Sequence, residues 1–244
     1  MKISVLTIFP ESFESFLATP VVKRAIDKGL AEIEIVDLRE YAGGSFRHID
    51  DSPYGGGPGM IMRCQPILDA LAAARTQQSH AVMLSPKGRR YDQKCARRYA
   101  AMDHIILLCG HYEGIDARVE SHFDEQLSLG DYILTGGELA AQVVIDSVVR
   151  LLKGALRETA TTDESHENGL LEYPQYTHPA VYEGEAVPEV LLSGNHKAIE
   201  DWRRTQALLI TRQNRPDLFE AYPLSNHDKE LLKTADQKAD QALE

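Results

Sequence analysis

The chain has 244 residues, of which 43% are hydrophobic and 26% charged, and its formal net charge is −11. This composition is ordinary for a globular protein with one large domain or two small ones. No apolar run approaches the roughly 20 residues that a membrane-spanning helix needs, and the excess of acids argues against a general polyanion-binding protein.

Three cysteines are present, at positions 64, 95 and 109. Their odd number and their spacing match neither a disulfide framework nor a set of zinc ligands. The first residues enter a strand pattern and lack the cleavage site of a signal peptide. We therefore expect reduced thiols, a cytoplasmic location and no structural metal.

The first half of the chain alternates strand and helix patterns. A strand pattern at residues 3–8 precedes helical residues that start after Pro10 and end at Gly29, followed by a second strand pattern at 32–38. The patterns continue as a helix, a strand, a turn, a basic helix and a strand at 66–75, 80–84, 85–89, 91–101 and 104–109. This alternation predicts a mostly parallel sheet with helices on both faces.

A glycine-rich loop, residues 47–60, interrupts this alternation. Four glycines and two prolines lie within residues 53–59 and exclude a helix or a strand interior there. The loop lacks the Lys-Ser/Thr ending of a phosphate-binding P-loop and the strand–turn–helix context of a dinucleotide-binding motif. It is predicted to be a shaped loop of another kind.

Two glycine turns follow neighbouring strand patterns in the middle of the chain. Residues 110–114 come directly after the strand at 105–109, and residues 127–138 extend a strand pattern at 123–129 into a helix pattern that ends at 152. Each turn alone is equally explained as a tight connection between a strand and a helix. Together, at the carboxyl edge of a parallel sheet, they predict a ligand pocket.

After the helix that ends at 152 the character of the sequence changes. Residues 158–172 contain five acids and neither Lys nor Arg, and helix patterns return at 197–212 and from 226 to the end. We expect a domain at 1–156, an acidic flexible connector at 157–172 and a mainly helical C-terminal domain at 173–244.

Two basic stretches stand out in this acidic chain. Residues 85–98 carry six cations and one acid, and residues 195–215 carry five cations and two acids. Basic helix faces are usually only solvated surface, although two of them also agree with binding to a nucleic acid.

Six motifs carry a resemblance to a known family. They occur in the order PYGGGPGM (53–60), SPKG (85–88), CGHYEGID (109–116), GDYILTGGE (130–138), EYPQYT (172–177) and VLLSGNH (190–196). Over essentially its whole length the chain resembles the bacterial tRNA (guanine-N1)-methyltransferases, which methylate guanine 37 beside the anticodon. The resemblance implies the α/β SPOUT fold with a deep trefoil knot and a small helical C-terminal domain. It also implies S-adenosylmethionine as methyl donor and tRNA as substrate, in a homodimer with the active site at its interface and with no membrane or other protein partner.

The same resemblance implies the site residues. Cofactor-binding positions are Ser85, Pro86, Gly110, Tyr112, Glu113, Gly114, Leu129, Gly130, Asp131, Tyr132, Ile133, Leu134, Gly136 and Gly137. Substrate-binding positions are Asp50, Ser165, Arg203 and Arg204. No metal ligand is implied, and a divalent ion that assists the reaction is not assignable from the sequence.

The catalytic positions implied are Arg150 and a carboxylate in the connector. Arg150 ends the helix that follows the knot, although a cation there is also explained by the helix macrodipole. The family's base precedes a serine and lies five residues ahead of Gly-Leu-Leu, which indicates Glu164. The usual pattern is Asp-Ser-Phe, whereas here His166 replaces Phe and a second acid, Asp163, precedes Glu164, so either acid remains a candidate.

Two other functions agree with parts of the sequence. A SPOUT methyltransferase with a different RNA target needs the same cofactor pocket but not the acidic connector. A non-catalytic RNA-binding protein needs only the basic stretches, and failure to bind S-adenosylmethionine distinguishes it.

Overall fold

The computed structural model describes residues 1–43, 47–156, 165–166 and 168–241. Its residue contacts divide the chain into two compact units, Met1–Glu158 and Thr159–Glu244. The boundary between them falls inside the segment for which the sequence predicts a connector. Within the described ranges no helix combines the length and apolar character needed to cross a bilayer.

The first unit is built on a parallel sheet. Its strands are β1 (Lys2–Thr7), β2 (Glu32–Asp37), β5 (Ser79–Arg90), β6 (His104–Cys109) and β7 (Glu125–Ser128), in the spatial order β2-β1-β6-β5-β7. Each neighbouring pair is parallel. A short antiparallel pair joins β3 (Asp50–Asp51), near the start of the glycine-rich loop, to β4 (Ile61–Met62), directly after it. The predicted α/β fold with a mostly parallel sheet is confirmed.

Helices cover both faces of this sheet. They are α1 (Glu14–Leu17), α2 (Pro20–Asp27), α3 (Cys64–Ala74), α4 (Gln93–Ala100) and α5 (Glu138–Val149), with 3-10 turns at Pro10–Phe13, Leu38–Tyr41 and Ala117–His122. Ile105 and Leu107 of β6 pack into a core with α2, α4 and α5, whereas Ile106 and Leu108 pack into a second core with α3. Because both faces are covered, all six residues of β6 are buried.

Two helix ends follow directly from the sequence. Gly29 ends the α2 region with φ of +68°, a left-handed conformation that glycine adopts readily. Asp92 caps α4, where its carboxylate accepts a 2.8 Å hydrogen bond from the backbone N–H of Cys95.

The turn predicted at residues 85–89 is the one clear error in the order of elements. These residues belong to β5, which continues to Arg90. Its pairing with β7 shifts inside this stretch, so that Leu84 and Arg89 both lie opposite Leu127. Pro86 and Gly88 indicate an interruption, and the structure places that interruption within one strand as an irregularity of register.

The second unit is mainly helical. It contains α6 (Glu189–Leu192), α7 (His196–Asn214), α8 (Pro216–Ala221) and α9 (Asn226–Gln241), with a small hairpin of β8 (Val181–Tyr182) and β9 (Glu185–Ala186). Leu170, Ala207, Leu208 and Leu232 form its buried core.

An ion pair at the edge of this core joins α7 to α9. Arg204 donates to both carboxylate oxygens of Asp228 at 2.7 and 3.1 Å and to the Tyr222 hydroxyl at 2.8 Å. Asp228 is 2% exposed and also accepts from the backbone N–H of Ser225. Hydrogen bonds from Arg204 lower the pKa of Asp228 from its ordinary value of 3.8 to about 2.

We expect Asp228→Asn to destabilise the second unit at pH 7 by about 1–3 kcal/mol, because Arg204 loses a charged partner. A carboxyl whose folded pKa is lowered stabilises the fold above its unfolded pKa, and this contribution disappears as the pH falls from about 4 toward 2. Urea unfolding of both proteins at several pH values measures the difference. The exposed pair of Arg215 and Asp217 gives the control, Asp217→Asn, for which a smaller loss is expected. A difference for Asp228→Asn that stays constant down to pH 2 would contradict this assignment.

Candidate functional site

A cavity of about 560 Å³ lies at the carboxyl ends of β6 and β7, beside the middle of β5. Most of its lining comes from three segments: residues 83–87 within β5, residues 110–115 directly after β6, and residues 127–137, which run from the end of β7 to the start of α5. The volume lies within the range usual for sites that bind small molecules and cofactors. The two glycine turns therefore meet at one pocket, as the sequence predicts.

Nearly all residues expected to bind a cofactor line this cavity. They are Ser85, Pro86, Gly110, Tyr112, Glu113, Gly114, Leu129, Gly130, Tyr132, Ile133, Leu134, Gly136 and Gly137. Asp131 is exposed and is not among the residues that line it. The sequence did not single out several other lining residues, including Lys87, His111, Glu120 and Thr135.

Direct contact between two backbones fixes the two turns against each other. The backbone N–H of Gly137 donates a 3.0 Å hydrogen bond to the carbonyl of Gly110. A Cβ atom at position 137 would stand 2.6 Å from Cα of Cys109, far inside a normal contact distance. Only glycine permits this approach, which brings the start of α5 onto the end of β6.

A buried hydrogen-bond chain lies behind the cavity. Glu138, 7% exposed, accepts from the Thr7 hydroxyl at 2.6 Å, and its other oxygen lies 2.6 Å from Nε2 of His111. The His111 ring also packs edge-on against Phe9, with ring centroids 4.8 Å apart. This chain joins the end of β1, the first glycine turn and the first turn of α5. One sequence signal could have revealed it, namely an acid at the start of an otherwise apolar helix.

The glycine-rich loop is tied to the first glycine turn through backbone hydrogen bonds. The N–H of Glu113 donates to the carbonyl of Met60 at 3.0 Å, and the N–H of Met62 donates to the carbonyl of Gly114 at 2.9 Å. Directly before Glu113, Tyr112 adopts φ of +59°, an uncommon conformation for a bulky residue, and its side chain is half exposed. The end of the loop thus lies beside the first glycine turn, and Ile61 directly after the loop lines the cavity.

The charges at the pocket mouth have both signs. Lys87 lies 3.6 Å from Glu120, and Glu113 adds a second carboxylate to the lining. Burial raises the pKa of the Cys109 thiol well above its usual value, so this thiol stays protonated and is not a nucleophile. Among the described residues no group of His, Cys, Asp and Glu could hold a metal ion.

The expected catalytic residues lie away from this cavity or outside the described residues. Arg150 ends α5, a helix of 12 residues that starts at the cavity, so it lies roughly 20 Å along the helix axis from Gly137. Glu164 and Asp163 lie outside the described residues.

The expected substrate-binding residues have these environments. Asp50 pairs with Met62 in the short antiparallel ladder. In the second unit the Ser165 hydroxyl accepts a 2.9 Å hydrogen bond from the backbone N–H of Glu172. Arg203 lies over the Tyr173 ring, 5.0 Å from its centroid, whereas Arg204 is held by Asp228.

The fold and the cavity together define a class: an α/β protein with a cavity of cofactor size between glycine turns at the carboxyl edge of a parallel sheet. Comparison with known proteins then identifies the family. The chain belongs to the tRNA (Guanine-1)-methyltransferase TrmD family, whose model matches residues 1–221.

Relatives in this family cover nearly the whole chain. It is 48% identical over 236 residues to a tRNA (guanine-N(1)-)-methyltransferase of Clostridium perfringens, covering 96% of this chain and all of that protein. The enzyme of the same name from Clostridium botulinum (strain Kyoto / Type A2) is 47% identical over 240 residues, covering 98% of this chain and all of the relative. The enzyme of that name from Listeria welshimeri is 46% identical over 240 residues, covering 96% of this chain and 98% of the relative.

We expect Gly136→Ala to weaken binding of S-adenosylmethionine, the donor that family membership implies, by roughly tenfold or more. The added Cβ would stand 2.2 Å from the His111 ring, which lines the cavity, so the ring must move and change the shape of the donor site. A loss of about 1.4 kcal/mol in binding free energy corresponds to tenfold in affinity. The obstacle is a side chain that can move, so the fold should survive. Calorimetric titration and thermal unfolding measure both effects.

The matched control is Gly43→Ala, whose Cβ would make only an ordinary 3.7 Å contact with Gln65. Unchanged donor affinity in Gly136→Ala would show that the His111 position does not matter for the pocket.

Proposed function

We propose that the protein transfers a methyl group from S-adenosylmethionine to N1 of guanine 37 in tRNA. The observation that carries this function is the glycine-walled cavity at the sheet edge, in a chain that belongs to the tRNA (Guanine-1)-methyltransferase family. The donor occupies that cavity and is held mainly by backbone groups, because glycines and apolar side chains form most of the lining.

The chain passes through a deep trefoil knot in this proposal. Membership of the family supports this topology, and the close approach of Gly137 to the backbone of Cys109 agrees with it, because α5 begins in direct contact with the end of β6. A knotted topology is rare because it requires one segment to thread through a loop formed by others. Here the three segments concerned are those that line the cavity.

The chemistry assigns roles to three residues. Guanine N1 carries a proton and becomes a good nucleophile only when a base removes it, and the Glu164 carboxylate takes that proton. Negative charge then develops toward O6, where the Arg150 guanidinium stabilises it. Asp163 is the second candidate for the base. The bound sulfonium supplies an electrophilic methyl group in line with N1, so positioning contributes much of the rate.

The active enzyme is a homodimer with each active site at its interface. Large apolar side chains are exposed in the single chain at the cavity, where Ile133 is 79% accessible, and on α5, where Leu139 is 58% and Val143 48% accessible. Arg150 lies one helix length from the cavity of its own chain. A second copy related by a two-fold axis would cover the apolar residues and bring its own Arg150 to the cavity.

The second unit contacts the tRNA in this proposal. Arg203 and Tyr173, which already stack on each other, offer a cation and a ring face to the RNA. Asp50 and Ser165 contact the target region, and Arg204 holds α7 against α9 through Asp228. The reaction takes place in the cytoplasm, where tRNA is modified.

The direct test is transfer of a labelled methyl group to unmodified tRNA, with the modified nucleoside identified by mass spectrometry. N1-methylguanosine at position 37 is expected. A ribose-methylated nucleoside or another base would indicate a SPOUT enzyme with a different target. Absence of both transfer and donor binding would indicate a non-catalytic RNA-binding protein.

We expect Glu164→Gln to lower single-turnover methyl transfer by roughly 10²-fold or more, as is typical for a lost general base. Donor affinity should hardly change. The matched variant Asp163→Asn should lower the rate of methyl transfer far less. Adjacent Cα atoms are about 3.8 Å apart, so the two side chains cannot reach N1 equally well. The opposite ranking would transfer the role to Asp163, and two near-normal variants would exclude a base in this segment.

Mixing two inactive variants tests the shared active site. We expect Arg150→Gln and Gly136→Val to be inactive as homodimers. After subunit exchange a mixed dimer has one intact site, so about one site in four should recover activity in an equimolar mixture. If activity does not return although mixed dimers form, cavity and Arg150 act within one chain.

A further inference from the structure

The two basic stretches of the sequence have different electrostatic environments in the structure. Both stretches agree with nucleic-acid binding by their composition alone. A cation attracts RNA phosphates strongly only when no carboxylate of the protein already neutralises it. The ion-pair partners of each cation therefore determine which stretch can bind RNA phosphates.

The C-terminal stretch, residues 195–215, is largely neutralised by the unit that contains it. Lys197 pairs with Asp201 at 3.1 Å, Arg212 with Asp236 at 2.8 Å and Arg215 with Asp217 at 2.6 Å. Arg204 pairs with Asp228. Only Arg203 of this stretch is engaged instead with a ring, that of Tyr173.

The stretch at residues 85–98 keeps three exposed cations without such partners. In the described ranges no carboxylate lies within 4.0 Å of the charged groups of Arg89, Arg90 or Lys94, and all three residues are exposed. The only acid of the stretch, Asp92, caps α4 through the backbone of Cys95. We call Arg89, Arg90 and Lys94 the basic surface.

Stability does not explain this arrangement. Lys94 lies in the first turn of α4, where the helix macrodipole disfavours a cation. Arg89 and Arg90 are both exposed at the end of β5, and in the described part of the chain neither has a carboxylate within reach that would offset its charge. In a protein with a net charge of −11, three such cations are better explained by an anionic partner.

The basic surface adjoins the cavity and is rigidly held. Ser85, Pro86 and Lys87 line the cavity on the same strand that continues into Arg89 and Arg90. The next residue, Tyr91, is fixed by a backbone hydrogen bond to Ser128 at 2.8 Å and by its hydroxyl, which lies 2.6 Å from that of Ser147. Because the backbone is already fixed, only the side chains of these cations lose conformational freedom when they bind.

We propose that the basic surface of Arg89, Arg90 and Lys94 binds the phosphate backbone of the tRNA beside the cavity, and that the paired cations of the C-terminal stretch contribute little. This inference rests on the proposed function and specifies the part of the protein that holds the RNA backbone. Each contacted phosphate releases condensed counterions, so binding through this surface depends steeply on salt.

The test compares two triple variants with the same change of charge. The first is Arg89→Gln, Arg90→Gln and Lys94→Gln, and the matched control is Lys197→Gln, Arg212→Gln and Arg215→Gln. The dissociation constant for tRNA is measured by filter binding between 50 and 300 mM salt. Thermal unfolding and donor affinity verify that each variant is folded.

The first variant should show a salt dependence of log Kd that is shallower by about 2, because each lost phosphate contact removes about 0.7–0.9 from the slope. Its affinity at low salt should fall at least tenfold while donor affinity is unchanged, and the control should stay near the wild-type protein. Equal weakening of both variants would show that only net charge matters, and an unchanged slope in the first variant would overturn the proposal.

Two further measurements separate a failure of this proposal from a variant that does not fold and from failure of the proposed function. If the triple variant fails to fold, Lys94→Gln alone, on an exposed helix position, should remove about 0.7–0.9 from the slope. Failure of the proposed function is a separate observation, because the wild-type protein would then bind tRNA without forming N1-methylguanosine.

Discussion

The contact between the backbone of Gly137 and the end of β6 sets the geometry of the site. A hydrogen bond of 3.0 Å from Gly137 to Gly110 and the absence of a side chain at 137 let α5 start directly above the strand end. Both glycine turns are then anchored at a common point, one by the strand that precedes it and the other by the helix that follows it. The cavity between them exists because the helix cannot move away without breaking this contact.

Buried polar groups add specificity to that contact. Glu138 is the first residue of α5, and its carboxylate is shared between Thr7 and His111. A buried carboxylate without partners would be costly, so the ends of β1 and β6 must stay in register with the helix for Glu138 to be satisfied. The acid therefore connects the position of the sheet edge to the position of the cavity wall, although it does not line the cavity itself.

Much of the fold could be predicted from local patterns. The strand β6 is a continuous apolar run, and Gly29 and Asp92 are end signals that act within a few residues. The glycine turns also indicated the cavity, because each follows a strand and parallel strands end at one edge. The features that local patterns did not predict are set by distant partners. The register shift in β5 depends on its pairing with Leu127, and the position of the His111 ring depends on Glu138, 27 residues away.

The ion-pair partners of the basic residues also could not be predicted from local sequence, and they affect which stretch can bind RNA. The two basic stretches look alike when cations are counted, yet their acids lie in different places. Asp201 is four residues from Lys197 on the same helix, and Asp236 reaches Arg212 from a different helix, α9. In the other stretch, by contrast, Asp92 is oriented into the helix it caps. An acidic protein can therefore approach an RNA with a few cations whose nearest acid is committed to the backbone, because at short range unneutralised charges outweigh a screened net charge.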